Sequence, residues 1–116
     1  MLCDMDCLFC RIAAGAVPVP ALYQDEQVYA FLDIAPQAPV HFLVIPKLHV
    51  QSLAHTAREH TALLGHMLAV AAELAAREGL LDGFRTVINS GEDGGQTIDH
   101  LHLHVLGGRP MGWPPG

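Results

Sequence analysis

The sequence predicts an α+β domain: a mostly antiparallel, five-stranded sheet with one long helix and one short helix. Five short apolar segments have the composition of strands, and one longer segment repeats apolar residues at helical spacing. A helix with one broad apolar face needs a sheet to cover it. With 51% apolar residues the chain can build a core, and its 116 residues fit a single domain over residues 1–116.

The elements of the N-terminal half are bounded by glycine, proline and acidic residues. Residues 9–15 have the composition of a short helix that ends at a glycine. Residues 22–24 and 28–32 are predicted strands, joined into a hairpin by a short acidic turn. Residues 41–45 form a strongly apolar strand, and Pro46 closes it.

The C-terminal half contains the long helix and two further strands. Thr56 and Glu59 form a capping-box pattern, which predicts that the helix begins there. Apolar residues then recur at helical spacing until Gly79, which predicts the end of the helix. Residues 84–89 and 100–106 are the remaining predicted strands, separated by a polar, glycine-rich loop.

Charge and composition narrow the classes of partner. The net charge of −6 arises from 12 acidic and 6 basic residues, so we expect no nucleic-acid partner. Residues 1–7 lack the basic and apolar regions of a secretion signal, and no apolar stretch suits a bilayer, so we expect no membrane association. The three cysteines all precede position 11 and cannot form a disulfide framework across the domain. We therefore expect a cytoplasmic protein.

The segment from residue 100 to residue 106 carries three histidines in strict alternation. Side chains alternate across a strand, so the histidines should share one face, with neighbours about 6.6 Å apart. The opposite face should pack on the long helix; the residues of the two faces are His100, His102 and His104, and Leu101, Leu103 and Val105. A solvated strand face, a purification-tag artefact and a plain metal site are the alternative interpretations.

Imidazole is suited to phosphoryl chemistry. With a reference pKa of about 6.5, much of it is uncharged near neutral pH and can attack phosphorus. His102 has a histidine on each side, so it is the best placed nucleophile, and its neighbours can donate to the phosphate oxygens. Residues 91–97 precede this strand; their glycines allow backbone amides to approach a phosphate, and Thr97 adds a hydroxyl.

The alternating histidines resemble the His-x-His-x-His-x-x signature of the histidine triad (HIT) superfamily, over about residues 6–116. Residues 31–47, 94–97 and 107–116, together with Asn89, resemble its histidine triad nucleotide-binding (Hint) branch. The resemblance implies a HIT-like fold and a homodimer whose sheets join. It also implies hydrolysis of adenosine phosphoramidates or aminoacyl adenylates through a nucleotidyl-histidine intermediate. A purine nucleotide such as AMP would bind, and no organic cofactor is implied.

The resemblance also implies roles for single residues. His102 matches the nucleophile, His104 the partner that contacts the phosphate, and His41 the outlying histidine of the cluster. Asp33 matches the carboxylate that holds the ribose hydroxyls; a turn-capping aspartate is the alternative interpretation. The further matches are Ile34 against the base, Phe9, Ile12 and Phe31 as apolar walls, and Asn89, Gly95, Gln96 and Thr97 on the phosphate side. The family usually has serine where this chain has Thr97, and both carry the hydroxyl.

Cys7 and Cys10 form a C-x-x-C pair, for which three interpretations compete. A redox motif lacks a thioredoxin-like βαβ context, and two buried thiols acting as small apolar residues are possible. The third is structural zinc, which needs four nitrogen or sulfur ligands. For members with such a pair, the resemblance implies zinc held by both cysteines, His49 and His100. The other histidines, at positions 55, 60 and 66, are expected to be solvated.

Other functions compete with the phosphoramidase interpretation. A dinucleoside polyphosphate hydrolase shares the fold, but the short chain and the tail around Trp113 argue against it. The transferase branch typically has glutamine in place of His104. A nucleotide-binding regulator with negligible turnover would use the same residues, and eight histidines with three cysteines raise the possibility of a metal-buffering protein.

Residues 42–45 carry no charge, and we expect this apolar strand to lie at a sheet edge. Exposed edges are usually paired, covered or charged, so the expectation is that a second copy covers it. The proline-rich tail is also too apolar to extend alone into water. We therefore expect the tail to reach towards the partner's active site, where Trp113 shapes the leaving-group pocket.

Overall fold

The computed structural model describes residues 6–116. Its five strands form one antiparallel sheet, and two α-helices complete an α+β fold, so the predicted fold class is confirmed. The elements are α1 (Leu8–Ala13), β1 (Tyr23–Gln24), β2 (Val28–Leu32), β3 (Val40–Pro46), two 3₁₀ turns (Leu53–His55 and Arg58–His60), α2 (Thr61–Arg77), β4 (Phe84–Val87) and β5 (Leu103–Gly107).

The strand order is β1-β2-β3-β5-β4, which places β3 in the middle of the sheet. Phe42 pairs with Leu32 of β2 on one side and with Val105 of β5 on the other. The prediction that residues 42–45 form an edge is therefore wrong. This strand is uncharged because two neighbouring strands and both layers of the domain bury it. Among the described residues, the edges of the sheet are β1 and β4.

The two faces of the sheet bury different layers. On one face, α2 packs Met67 and Leu74 against Phe42, Leu103 and Val105 in the main core. This confirms the prediction that the leucine face of the histidine segment packs on the long helix. The opposite face is covered in part by α1 in a smaller apolar cluster, formed by Phe9, Ile12, Tyr29, Phe31, Leu43 and Ile45. In the described chain, neither helix combines the length and apolar character needed to cross a membrane.

The long helix begins five residues later than its capping-box pattern predicts. Thr56 follows the first 3₁₀ turn with extended backbone angles (φ −84°, ψ 159°), and its hydroxyl donates to the carbonyl of Leu53, the first residue of that turn. The backbone N–H of Ala57 then donates to the His60 ring. Thr56 therefore ends the first 3₁₀ turn instead of capping a helix, and α2 starts at Thr61.

The last two strands also differ from their predicted ranges. β4 is shorter and ends at Val87, and β5 begins later, at Leu103. Before β5, the His100 amide bonds back to the carbonyl of Ile98, and the Leu101 amide donates to the carbonyl of Val50. The histidines therefore do not alternate along one continuous strand. This bend separates the surroundings of His100 from those of the two later histidines.

Candidate functional site

Three histidine rings meet on the face of the sheet opposite α2. The ring centroids of His102 and His104 lie 5.0 Å apart, and those of His41 and His104 lie 5.2 Å apart. His41 is on β3 and His104 on β5, and their adjacent strands bring them together. His41 and His102 are buried, while His104 is half-buried. The structure thus gathers the three histidines predicted for the reaction.

The His102 ring is fixed by the backbone just before it. Its Nδ1 lies 2.7 Å from the carbonyl oxygen of His100. Because a carbonyl only accepts, His102 Nδ1 must carry the proton, and the neutral ring keeps an unprotonated Nε2. Phe9 packs edge-on against this ring, with centroids 5.2 Å apart. The His102 ring is therefore held in one tautomer and one orientation, with a lone pair on Nε2.

His41 and His104 form a directed pair of hydrogen-bonded rings. The backbone N–H of Gln37 donates to His41 Nδ1 at 3.0 Å, so the proton of the neutral His41 ring is on Nε2. That Nε2 lies 2.9 Å from His104 Nδ1 and 3.3 Å from Asp33 Oδ2. His104 Nδ1 accepts, which leaves the proton of His104 on Nε2. Within residues 6–116 no hydrogen bond involves this N–H, so it can donate to an oxygen atom of a bound group.

Burial keeps both of these rings neutral at physiological pH. Burial, followed by the neighbouring His102 and His41, lowers the pKa of His104 to about 4, although Asp33 opposes the shift. Burial also lowers the pKa of His41, again opposed by Asp33. The hydrogen bonds described above require each of these two rings to be neutral, with one protonated nitrogen and one that accepts. The lowered pKa values of His41 and His104 therefore agree with the hydrogen-bond geometry.

Asp33 forms the turn cap that the sequence offered as the alternative interpretation, and its contact with the ribose hydroxyls stays a prediction. Its Oδ1 accepts from the backbone N–H of Ala35 at 2.8 Å, which caps the turn after β2. Its Oδ2 faces His41, 3.3 Å from Nε2. Ile34, beside it, is 93% exposed, and Leu32 is also exposed despite belonging to β2. The β2–β3 turn therefore presents a carboxylate and apolar surface next to the histidines.

The other predicted site residues lie at varying distances from this cluster. Phe9, Ile12 and Phe31 are buried in the smaller apolar cluster, where Phe9 also meets the His102 ring. Thr97 is exposed and Asn89 is half-buried. No hydrogen bond among the described residues joins either of them to a histidine. Trp113 is 84% exposed in the C-terminal tail.

Gln96 holds the glycine-rich loop together from inside. Its side-chain nitrogen donates to the carbonyls of Gln51 and Ile98, and its side-chain oxygen accepts from the Gly91 amide. All of its amide donors and its oxygen are thus engaged within the protein, so Gln96 shapes the loop rather than offering a free contact. Gly95, in the same loop, has φ +79°, which favours glycine.

A separate cluster joins Cys7, Cys10, His49 and His100, whose ligand atoms all lie within 4.8 Å of one another. His100 Nδ1 is 3.3 Å from Cys7 Sγ and 3.6 Å from Cys10 Sγ, and His49 Nδ1 is 3.3 Å from Cys10 Sγ. Tetrahedral zinc with ordinary bond lengths separates nitrogen and sulfur ligands by about 3.6 Å. The spacing therefore fits zinc.

The outer contacts of this cluster also fit a metal. His100 Nε2 donates to the buried carbonyl of Pro46 at 2.8 Å, which leaves Nδ1 unprotonated and turned to the sulfurs. Cys10 is disulfide-bonded in this structure, so metal binding requires its reduced form.

Backbone groups such as the Pro46 carbonyl and the Gln37 amide were missed from the sequence, because every residue carries such groups.

A second group of metal-ligand type comprises Asp33, His41 and His104. Its hydrogen bonds argue against a metal. The Gln37 N–H occupies Nδ1 of His41, so Nε2 must hold the ring proton and cannot donate a lone pair to an ion without loss of that proton. Hydrogen bonding within the cluster accounts for these three residues.

The three remaining histidines have local partners, and none of them is buried, so the structure does not contradict the expected solvation. His55 bonds with Ser52, His60 accepts from a backbone amide, and His66 meets Asp25 Oδ2 at 2.6 Å. The two clusters described above contain no member of this trio. The histidines of the described chain are therefore divided among separate tasks, which disfavours a metal-buffering protein.

Comparisons with known proteins agree with this architecture. An uncharacterised HIT-like protein of Synechococcus elongatus is 52% identical over 111 residues, which cover 96% of this chain and 97% of the relative. The crystal structure of a HIT family hydrolase from Legionella pneumophila Philadelphia 1 superposes with a TM-score of 0.93. That protein is 47% identical, and the match covers 95% of this chain and 99% of the other.

A third similar protein is relevant to the cysteine–histidine cluster. The crystal structure of a zinc-bound histidine triad family protein from Mycobacterium smegmatis is 42% identical, with a TM-score of 0.78. The match covers 90% of this chain and 76% of that chain. The model of the HIT domain family matches residues 15–111, which include β1 to β5 and all three rings of the histidine cluster. The chain belongs to the HIT domain family.

Proposed function

We propose that this protein is a purine nucleotide hydrolase of the Hint branch. It cleaves adenosine phosphoramidates or aminoacyl adenylates through a covalent nucleotidyl-His102 intermediate. The observation that carries the proposal is the His102 ring, whose Nδ1–H donates to the His100 carbonyl and leaves Nε2 unprotonated. The hydrolase name of the Legionella relative supports the same reaction class.

The reaction proceeds in two displacements. His102 Nε2 attacks phosphorus, the P–N bond breaks, and the amine leaves with a proton. Water then attacks the same phosphorus, the His102–P bond breaks, and AMP is released with the regenerated imidazole. His104 Nε2–H donates to a non-bridging oxygen in both steps. His41 keeps the His104 proton on Nε2, because His41 Nε2–H donates to His104 Nδ1. Thr97 relays a solvent proton to the departing amine, and the attacking water gives up a proton to solvent in the second displacement, so Thr97 keeps its hydroxyl.

The nucleoside binds beside the β2–β3 turn. Asp33 accepts from the ribose hydroxyls through Oδ2, the oxygen that the turn does not use. Ile34 covers the base, since so exposed an apolar side chain gains from contact with a purine ring. The remaining proposed contacts are Phe9, Ile12 and Phe31 along the pocket and Asn89 and Gly95 near the phosphate.

The direct test compares His102→Asn with His66→Asn, which removes a histidine outside the cluster. Steady-state release of amine from an adenosine phosphoramidate should fall by about 10³ or more in His102→Asn, while AMP affinity persists. His66→Asn should keep its turnover. Mass spectrometry of wild type mixed with an aminoacyl-adenylate analogue should show one added nucleotidyl group. Negligible release by wild type would favour a nucleotide-binding regulator, and an active His102→Asn would refute the nucleophile.

We also propose a structural zinc ion held by Cys7, Cys10, His49 and His100. The ligand spacing, the Pro46 contact to His100 and the zinc-bound Mycobacterium relative support it. Reduced, untagged protein should contain one zinc per chain. Cys7→Ser combined with Cys10→Ser should lose the metal and melt at a lower temperature. Metal-free wild type that melts at an unchanged temperature after zinc addition would contradict the proposal.

The third proposal is a homodimer whose sheets join along β4. β4 is the longer of the two edge strands, with four residues against two in β1, and Phe84 on it is 41% exposed. Pairing two copies would cover both the edge and the aromatic ring. Light scattering at micromolar concentration should give a dimer, and Thr86→Pro, which removes a strand amide, should weaken it. A monomeric wild type would refute the proposal.

A further inference from the structure

The peptide unit between His100 and Leu101 connects the two clusters of the molecule. Its carbonyl accepts from His102 Nδ1 at 2.7 Å, and its N–H donates to the carbonyl of Val50 at 2.7 Å. Val50 directly follows His49 in the chain. The peptide plane that orients the His102 ring therefore begins at His100, a member of the cysteine–histidine cluster, and is held by Val50, which follows another member, His49.

A second path connects the same clusters through α1. Cys7 and Cys10 flank Phe9, which packs edge-on against both His100 and His102, with centroid separations of 5.9 and 5.2 Å. His100 itself is fully buried. Because Phe9 contacts both rings and His100 Nδ1 lies within 3.6 Å of both sulfur atoms, a displacement of α1 or of His100 should be transmitted to the His102 ring.

We propose that His100 is a positioning residue that makes the tautomer and orientation of the His102 ring depend on metal binding at the cysteine–histidine cluster. When a metal ion binds all four ligands, the His100–Leu101 peptide is fixed against Val50, and His102 keeps its proton on Nδ1. Without the metal ion, His102 exchanges between tautomers, and its Nε2 is unprotonated for only part of the time. The inference rests on the nucleophile and the zinc site proposed above.

The test observes the ring itself in the absence of nucleotide. Reduced, ¹⁵N-histidine-labelled protein is compared by NMR in its zinc-loaded, metal-stripped and cadmium-loaded forms, with His66 as an internal reference. Cadmium also prefers thiolate and imidazole ligands, but its larger size lengthens the ligand bonds while the protein stays folded. Cys7→Ala, which cannot complete the site, serves as the matched variant.

We expect a single Nδ1–H tautomer of His102 with zinc, a mixture after stripping, and restoration when zinc is added back to wild type but not to Cys7→Ala. Cadmium should shift the His102 nitrogen signals and leave those of His66 unchanged. The rate of nucleotidylation should fall about tenfold without metal, the scale of a lost outer contact.

Identical His102 signals with zinc, with cadmium and without metal would overturn the inference. If stripping unfolds the chain, the comparison of zinc with cadmium still distinguishes the two outcomes in folded protein. Failure of the proposed hydrolase is a different result, namely an active His102→Asn. The NMR comparison uses no substrate, so the two failures are distinguishable.

Discussion

Acid should destabilise this protein through His104, and the size of the effect follows from its burial. The His104 side chain is 18% exposed, and its pKa falls to about 4 in the folded chain. The unfolded chain has a pKa of about 6.5, and each unit corresponds to 1.36 kcal/mol, so His104 accounts for about 3 kcal/mol. Since the folded pKa is the lower one, the unfolded chain binds the proton first as the pH falls.

The free energy of unfolding should therefore decrease between about pH 6.5 and pH 4 and change no further through this group below that range. Urea unfolding of wild type and His104→Gln at several pH values isolates the contribution of His104 to the free energy of unfolding. The other buried histidines are present in both proteins, so their effects cancel in the comparison. The stability of wild type relative to the variant should fall by about 3 kcal/mol from pH 7 to pH 4. His55→Gln controls for the loss of an exposed histidine. A difference that does not vary with pH would refute the reasoning.

Three other changes have defined outcomes. Asp33→Asn should remove the preference for ribonucleoside over deoxyribonucleoside monophosphates, because the carboxylate that accepts from two hydroxyls is lost, at about 1.5–3 kcal/mol for each bond; calorimetry measures it, and equal affinities in wild type would exclude this role. Leu103→Ala should cost about 2–5 kcal/mol of stability in urea, since its 1% exposed side chain leaves a cavity against α2; a loss below ~1 kcal/mol would contradict that packing. Deleting residues 111–116 should alter selectivity for the leaving amine more than the rate of nucleotidylation, and an unchanged substrate profile would separate Trp113 from the site.

Periodicity in the sequence was sufficient to predict the sheet and its main helix. Apolar residues at two-residue and helical spacing place Leu103 and Met67 in one core, as the structure shows. Element ends were predicted less well. Thr56 and His100 lie where the patterns predict helix and strand, but hydrogen bonds to residues nearby or on another segment give them other conformations.

Within the candidate site, side chains were easier to predict than their partners. The spacing of His102 and His104 is visible in the sequence, whereas the amide of Gln37 and the carbonyl of Pro46 are not, since backbone groups look alike at every position. Those two groups set the tautomers of His41 and His100. Which nitrogen of each ring carries the proton therefore depends on contacts made by the folded chain, and no local sequence pattern predicts them.

The pairing of β5 with β3 has a consequence for insertions and deletions. Val105 pairs with Phe42 and His104 with Leu43, so alternate residues of β5 face α2 and the histidine cluster. Removing or adding a single residue in β5 would reverse this alternation, turning an imidazole into the core and a leucine towards the face that carries the histidine cluster. Length changes here should be far more damaging than substitutions, because one shift in register alters stability and chemistry together.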